Sequence, residues 1–269
     1  MIRYLFDDQK FYKTFLKLAI PITVQYFISA SLNLVDNIMV GRLGAIELAA
    51  VGLANQVYFL LLLFLLGISG GASIFAAQFW GKKDLPNIRR ILGLSLMISV
   101  GASLFFFSIS VFNSQAIMRL FSQDRFVIEL GAEYLRITSF TYPMTAITAC
   151  YAAVLRSIGE VKLPLRVNLI AILSNTFLNY LLIFGAFGLP KMGVAGAALA
   201  TLFARLVETA VLLTIAYRHQ YGVASRPSEL FRIPAALAKR FINTTGIVVA
   251  KDFIWAFGMV LYMAVYAKM

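Results

Sequence analysis

The chain alternates between long apolar runs and short polar breaks. Seven runs reach the roughly 20 residues an α-helix needs to cross about 30 Å of hydrocarbon; they lie at 15–39, 47–79, 91–112, 130–155, 164–185, 193–217 and 241–267. The breaks carry the helix terminators: Gly41 with Gly44, Gly81 with Pro86, Gly159 with Pro164, and Pro190 within 185–193. The second run is too long for one straight crossing, so it is expected to tilt or to extend beyond the bilayer. Pro21 and Pro143 fall inside runs, where each removes a backbone donor and bends its helix. The pattern predicts an all-α, multi-pass transmembrane bundle.

Composition agrees. Hydrophobic residues make up 61% of the 269 positions and charged residues 13%, where a soluble domain averages about half and about a quarter. A single globular core cannot hide that excess, so the solvent is lipid. The net charge of +12 would raise nucleic acid as a partner of a soluble chain, but here its placement explains it and no nucleic acid is expected. With the N-terminus in the cytoplasm, sixteen of the 24 Lys and Arg fall on inner segments, five on outer ones and three within spans. Retention of basic residues inside therefore predicts a cytoplasmic N-terminus, an inner (cytoplasmic) membrane location and a cytoplasmic loop at 218–240. The polar first 17 residues lack a small-residue cleavage site, so no removable signal peptide is expected. Cys150 and His219 stand alone, which excludes a disulfide, a zinc site or a Cys/His dyad built from them. Without a nucleophile constellation or a phosphate loop, neither an enzyme nor a cofactor is expected.

The seventh run echoes the first. Displaced by 226 positions, residues 15–43 lie over 241–269 without a gap; Phe15/Phe241, Phe27/Phe253, Ile28/Ile254 and Ala30/Ala256 are identical, and Arg42 meets Lys268. Internal repeats are the usual build of secondary transporters. The predicted organisation is a six-helix lobe at 1–217, an inter-lobe loop at 218–240 and the first helix of an incomplete second lobe at 241–269. A truncated product is the expectation.

Charges within lipid need a reason, since each costs a few kcal/mol or more. Asp36 lies near the outer end of the first run. Asn175 and Asn179, four apart, share a helix face, and Asn168 lies on the same side nearer the cytoplasm. At about 1.5 Å of rise per residue, Asp36, Asn179, Thr201 and Asn175 fall roughly 8, 9, 12 and 15 Å below the outer boundary. One carboxylate and three neutral oxygen donors in one layer suit a weakly held hard cation or a proton. The competing reading is that the asparagines only join packed helices and that Thr201 bonds its own backbone. Arg205 with Glu208, and Glu133 with Arg136, are three apart and expected to pair locally. Lys251 and Asp252, adjacent, point about 100° apart and are expected to stay unpaired, leaving Asp252 open to a cavity. Tyr26, Phe27 and Tyr142 are the candidate cavity aromatics, whose ring faces attract cations.

These segments resemble a known family. LVDNIMVGRLG (34–44), with Pro21 fifteen residues before the Asp, YLRI…P…VLRSIGEVKLP (134–164), LSNTFLNYLLIFGAFGLPKMGVAGAALATLFAR (173–205) and IWAFGMVLY (254–262) are similar to the MATE family of multidrug and toxin extrusion transporters. The resemblance implies the N-terminal half of a twelve-helix, two-lobe antiporter that exchanges Na+ or H+ for cationic, amphipathic organic substrates. It implies Asp36 as the coupling carboxylate, with Asn175, Asn179 and Thr201 around it, and Asp252 where many members carry a Glu. Asn179 departs from members with an Asp there, which argues against a two-carboxylate proton site. The missing second lobe would be a required partner. The rivals are a lipid-linked glycan flippase of related fold, which wants a strongly basic cavity, and a non-functional truncated remnant.

Overall fold

The structure is a computed structural model that describes residues 9–266, and within them every long element is helical. In chain order these are α1 (Gln9–Gly41), α2 (Ala45–Gly81), α3 (Leu85–Phe121), α4 (Arg125–Ser139), α5 (Thr141–Ser157), α6 (Lys162–Phe184), α7 (Gly193–Arg218), the short α8 (Pro227–Phe231) and α9 (Ala235–Tyr266). Among the described residues, five helices are long and apolar enough to cross a membrane: α1, α2, α3, α6 and α7. Residue 267, the last of the predicted seventh run, and Lys268 of the repeat comparison lie outside the described residues.

One expected crossing is broken. Residues 130–155 read as a single span, but α4 and α5 meet at Phe140. Pro143 has no N–H to offer the Ser139 carbonyl, so the ladder fails there. Nearby hydroxyls fold back instead: Ser139 Oγ donates to the Arg136 carbonyl at 2.7 Å and Thr141 Oγ1 to the Thr138 carbonyl at 2.6 Å. α1, by contrast, continues through Pro21.

Three buried clusters hold the bundle together. One gathers Phe75, Ile88, Ile91, Cys150, Leu155 and Phe241 at the end of the bundle where the 82–90 turn lies. Another, at the opposite end, gathers Val40, Ala50, Met118, Leu135, Ile183 and Val194. Between them Leu61, Leu65, Tyr142 and Ala146 form a small third. Lipid supplies no hydrophobic force between helices, so close contact depends on small side chains. At Gly196 on α7 a Cβ would crowd the Leu182 backbone of α6 at 2.6 Å. The α6–α7 hairpin itself turns on Gly185, whose φ of 71° is the left-handed cap that an L side chain rarely adopts.

The 219–234 segment is docked rather than loose. Val223, Ala224 and Leu230 are buried, α8 lies against α3, and Arg89 both pairs with Glu229 at 2.8 Å and donates to the Gly222 carbonyl at 3.3 Å. The start of α9 joins the same core: Phe241 meets the Phe75 ring at 5.7 Å, and Thr245 and Val249 abut Gly71 and Gly67 of α2.

The turn before α3 is capped by Asp84, whose Oδ1 accepts from the Asn87 backbone N–H at 3.2 Å and Oδ2 from its side-chain amide at 2.6 Å. Replacing Asp84 by Ala is expected to cost about 1 kcal/mol. Thermal unfolding of the purified chain in detergent measures it, and an unchanged midpoint would show that the cap contributes nothing.

Candidate functional site

α6 and α7 lie antiparallel and α1 packs along α6, so polar residues at matching heights on the three helices meet. Asp36 on α1, Asn175 and Asn179 on α6 and Thr201 on α7 converge on one cavity of about 410 Å³. Asn179 Nδ2 donates to Asp36 Oδ1 at 2.8 Å. Asn175 places its amide against the same carboxylate. With the nitrogen turned toward Asp36, no two acceptor oxygens face each other; it donates to Oδ2 at 2.8 Å and to Oδ1 at 3.2 Å, while its oxygen accepts from the Thr201 backbone N–H at 3.2 Å. Thr201 Oγ1 donates to the Ala197 carbonyl of its own helix at 3.0 Å, which leaves its lone pairs toward the cavity side. Asn179 is 2% exposed, and its Oδ1 has no hydrogen-bond partner in the protein. A buried acceptor without a donor costs about 1–3 kcal/mol unless something fills it.

Further along the cavity, Ser29 Oγ of α1 donates to Asn168 Oδ1 of α6 at 3.0 Å. Tyr142, 1% exposed, stacks on Tyr58 with ring centroids 5.9 Å apart and planes 29° apart. Arg205, one helical turn beyond Thr201 on the same face, donates from Nη1 to Glu208 Oε2 at 2.6 Å and from Nη2 to the Tyr58 hydroxyl at 3.3 Å. Among the described residues lining the cavity, Asp36 and Arg205 are the two that carry charge.

Of the residues singled out from sequence, the structure brings together Asp36, Asn175, Asn179, Thr201 and Tyr142. Tyr26 and Phe27 stand outside this cavity, 66% and 74% exposed on the outer surface of α1. Asp252 is also outside it, and its expected isolation is wrong: Lys251 Nζ lies 2.8 Å from Asp252 Oδ1. Backbone directions do diverge, but four methylenes let the lysine amine curl back to its neighbour. The Arg205–Glu208 pair forms as expected, whereas Glu133–Arg136 does not. Arg136 Nε instead donates to Ser114 Oγ at 2.7 Å, beside the non-helical Asn113 (φ −124°, ψ 21°) that kinks α3. Sequence reasoning missed Asn37, Asn55, Tyr58 and Tyr134 as cavity residues. Asn55 and Tyr58, three apart in the overlong apolar second run, were the available signal.

Together these features define a class: the bundle is a membrane-embedded helical lobe enclosing a polar, acid-containing cavity of the size that takes small organic molecules. The comparison with known sequences then specifies it. The MatE family model matches residues 21–181, and the chain belongs to that family, which is one of transporters rather than enzymes. It is 26% identical over 262 residues to the probable multidrug resistance protein NorM of Thermotoga maritima, covering 93% of this chain and 56% of that one. To the protein of the same name from Agrobacterium fabrum it is 32% identical over 187 residues, covering 70% and 40%. A solved transporter of the MOP superfamily from Pyrococcus furiosus has the same fold, with a TM-score of 0.82 at 21% identity over 92% of this chain and 54% of that one. The chain thus spans about half the length of the relatives it matches.

Proposed function

We propose that this chain is the cavity-bearing lobe, with the first helix of its companion, of a secondary active antiporter that exports cationic, amphipathic organic molecules in exchange for Na+ or H+. The observation that carries this reading is a single carboxylate, Asp36, inside a drug-sized cavity and ringed by side chains of two other helices. A buried ionisable group in a membrane bundle is costly and marks an ion or cargo path. Asp36, Asn179 and Thr201 supply oxygens of the hard type that Na+ takes, with Asn175 held against the carboxylate through its amide nitrogen, and the unpartnered Asn179 Oδ1 is an acceptor in waiting. A proton on Asp36 would serve equally as the coupling ion, with no further cofactor.

In the mechanism, cation and cargo compete for one negative site. Cation arrival at Asp36 stabilises one conformation of the two-lobe protein and cargo the other, so each ligand promotes release of its competitor. The lobe occupies 1–217, the inter-lobe segment 218–240 and the second lobe begins at 241; the N-terminus and that segment lie in the cytoplasm, where their Lys and Arg are retained. The second lobe is the partner that alternating access requires. A lipid-linked glycan flippase fits less well, because Glu208 already holds the one base lining the cavity among the described residues.

Counter-transport into proteoliposomes by a full-length relative, under separate Na+ and pH gradients, tests the reading. Uptake of an organic cation driven by either gradient, and collapsed with it, is expected. Accumulation that ignores both gradients refutes coupled antiport.

A further inference from the structure

The cavity poses an electrostatic problem for a cation carrier. Its two charged lining residues, Asp36 and Arg205, are opposite in sign, so by themselves they would leave the cavity neutral. Glu208 does not line it. It sits behind Arg205, 7% exposed, at 2.6 Å from Nη1.

We propose that Glu208 is a specificity-determining residue: by neutralising Arg205 from outside the cavity, it leaves Asp36 as the net charge and so makes the cavity accept monocations. The inference rests on the reading of this cavity as the cargo site. Two observations point the same way. First, Arg205 spends Nη1 on Glu208 and Nη2 on the Tyr58 hydroxyl, so the guanidinium is held at the rim of Tyr58, and that half-buried ring, backed by the buried Tyr142, stays available to a cation. Second, Glu208 is as buried as the core, a position where a carboxylate persists only when paired. With the pair intact, Arg205 also orients Tyr58; without Glu208, the same guanidinium becomes a bare cation on the cavity wall. It would then repel a monocation and attract a cargo bearing its own carboxylate, to which a guanidinium binds with matched geometry. A fixed unit charge about 10 Å from a bound cation, at an effective dielectric of about 20, alters binding roughly 15-fold.

The test uses the full 269-residue chain in lipid nanodiscs and two dyes that differ at one group: rhodamine 123, a cationic methyl ester, and rhodamine 110, the corresponding free carboxylate. Fluorescence anisotropy gives both affinities. Glu208→Gln is expected to weaken rhodamine 123 roughly 15-fold while rhodamine 110 binds as tightly as before or tighter. The double variant Arg205→Met/Glu208→Gln is expected to regain rhodamine 123 binding, a rescue that a merely structural role would not give. Unchanged rhodamine 123 binding in Glu208→Gln overturns the proposal, as does a double variant that stays as weak as the single one. Should Glu208→Gln fail to fold, Arg205→Met decides: it must bind rhodamine 123 no more weakly than the native chain, and weaker binding overturns the proposal. If the native chain binds neither dye, or Asp36→Asn binds rhodamine 123 as the native chain does, the cargo-site reading itself falls and takes this one with it.

Discussion

Asp36→Asn is expected to abolish cation-driven export while leaving the lobe folded. The substitution is nearly isosteric, and an amide at this position still accepts from Asn179 Nδ2, now 2.8 Å from Asp36 Oδ1, so packing between α1 and α6 survives. What disappears is the charge. Three N–H contacts from Asn175 and Asn179 converge on the carboxylate, and such donors stabilise an anion about twice as strongly as a neutral oxygen. Under the proposed antiport, losing the carboxylate removes the site at which a proton or Na+ would tell the conformations apart, and a ligand that cannot discriminate between two states shifts neither. Ethidium efflux from cells expressing a full-length relative with the matching substitution should fall by about 100-fold, the equivalent of losing a coupling of roughly 3 kcal/mol. Undiminished efflux would sink the antiport proposal. A variant protein missing from the membrane would instead place Asp36 among the residues that hold the lobe together.

The second large effect concerns a residue far from the cavity. Gly93 on α3 faces the backbone of Leu230, and a Cβ there would overlap the Leu230 carbonyl oxygen. Backbone yields less than the end of a side chain, and this stretch is pinned: Arg89 grips Gly222 and Glu229 just ahead of Leu230, and Leu230 is itself buried. Gly93→Ala must therefore either strain α3 or expel the 222–231 strap, at about 2 kcal/mol or more. Trypsin cutting after Arg232, the basic residue of the strap not followed by proline, should accelerate at least about tenfold in inside-out vesicles, because cleavage follows the population of the opened segment. Gly101, on the same helix with nothing within 4 Å of its added Cβ, supplies the control; Gly101→Ala should cut like the native chain. Equal rates for both variants would mean the strap is not held by this contact.

The strap also shows why the 218–240 segment was hard to read. Residues 218–240 have the basic charge and turn residues of a solvated loop, and that is how the pattern alone presents them. Nothing local to the segment reveals that Val223 and Leu230 find a hydrophobic seat on α3 and in the core around Phe75. The break at Phe140 was closer to legible. Pro143 announced a weakened ladder, but a proline either bends a helix, as Pro21 leaves α1 continuous, or divides it, and the run of apolar residues does not say which.

By itself, the amino-acid order determined that this protein lives in lipid, that it is built from long helices, and that Asp36, Asn175, Asn179 and Thr201 are polar groups set in apolar runs. These follow from run length, rise per residue and the cost of a charge in hydrocarbon, all of which act along one helix at a time. Only the tertiary structure decided which faces of those helices meet. It drew Arg205, Tyr58, Asn55 and Tyr134 into the cavity, left Tyr26 and Phe27 outside it, and sent Arg136 to Ser114 instead of Glu133. Helix rotation in a membrane is set by small-residue contacts and by hydrogen bonds between helices, not by an outward polar face. An apolar stripe all around each helix therefore carries almost no record of its neighbour until the bundle is assembled.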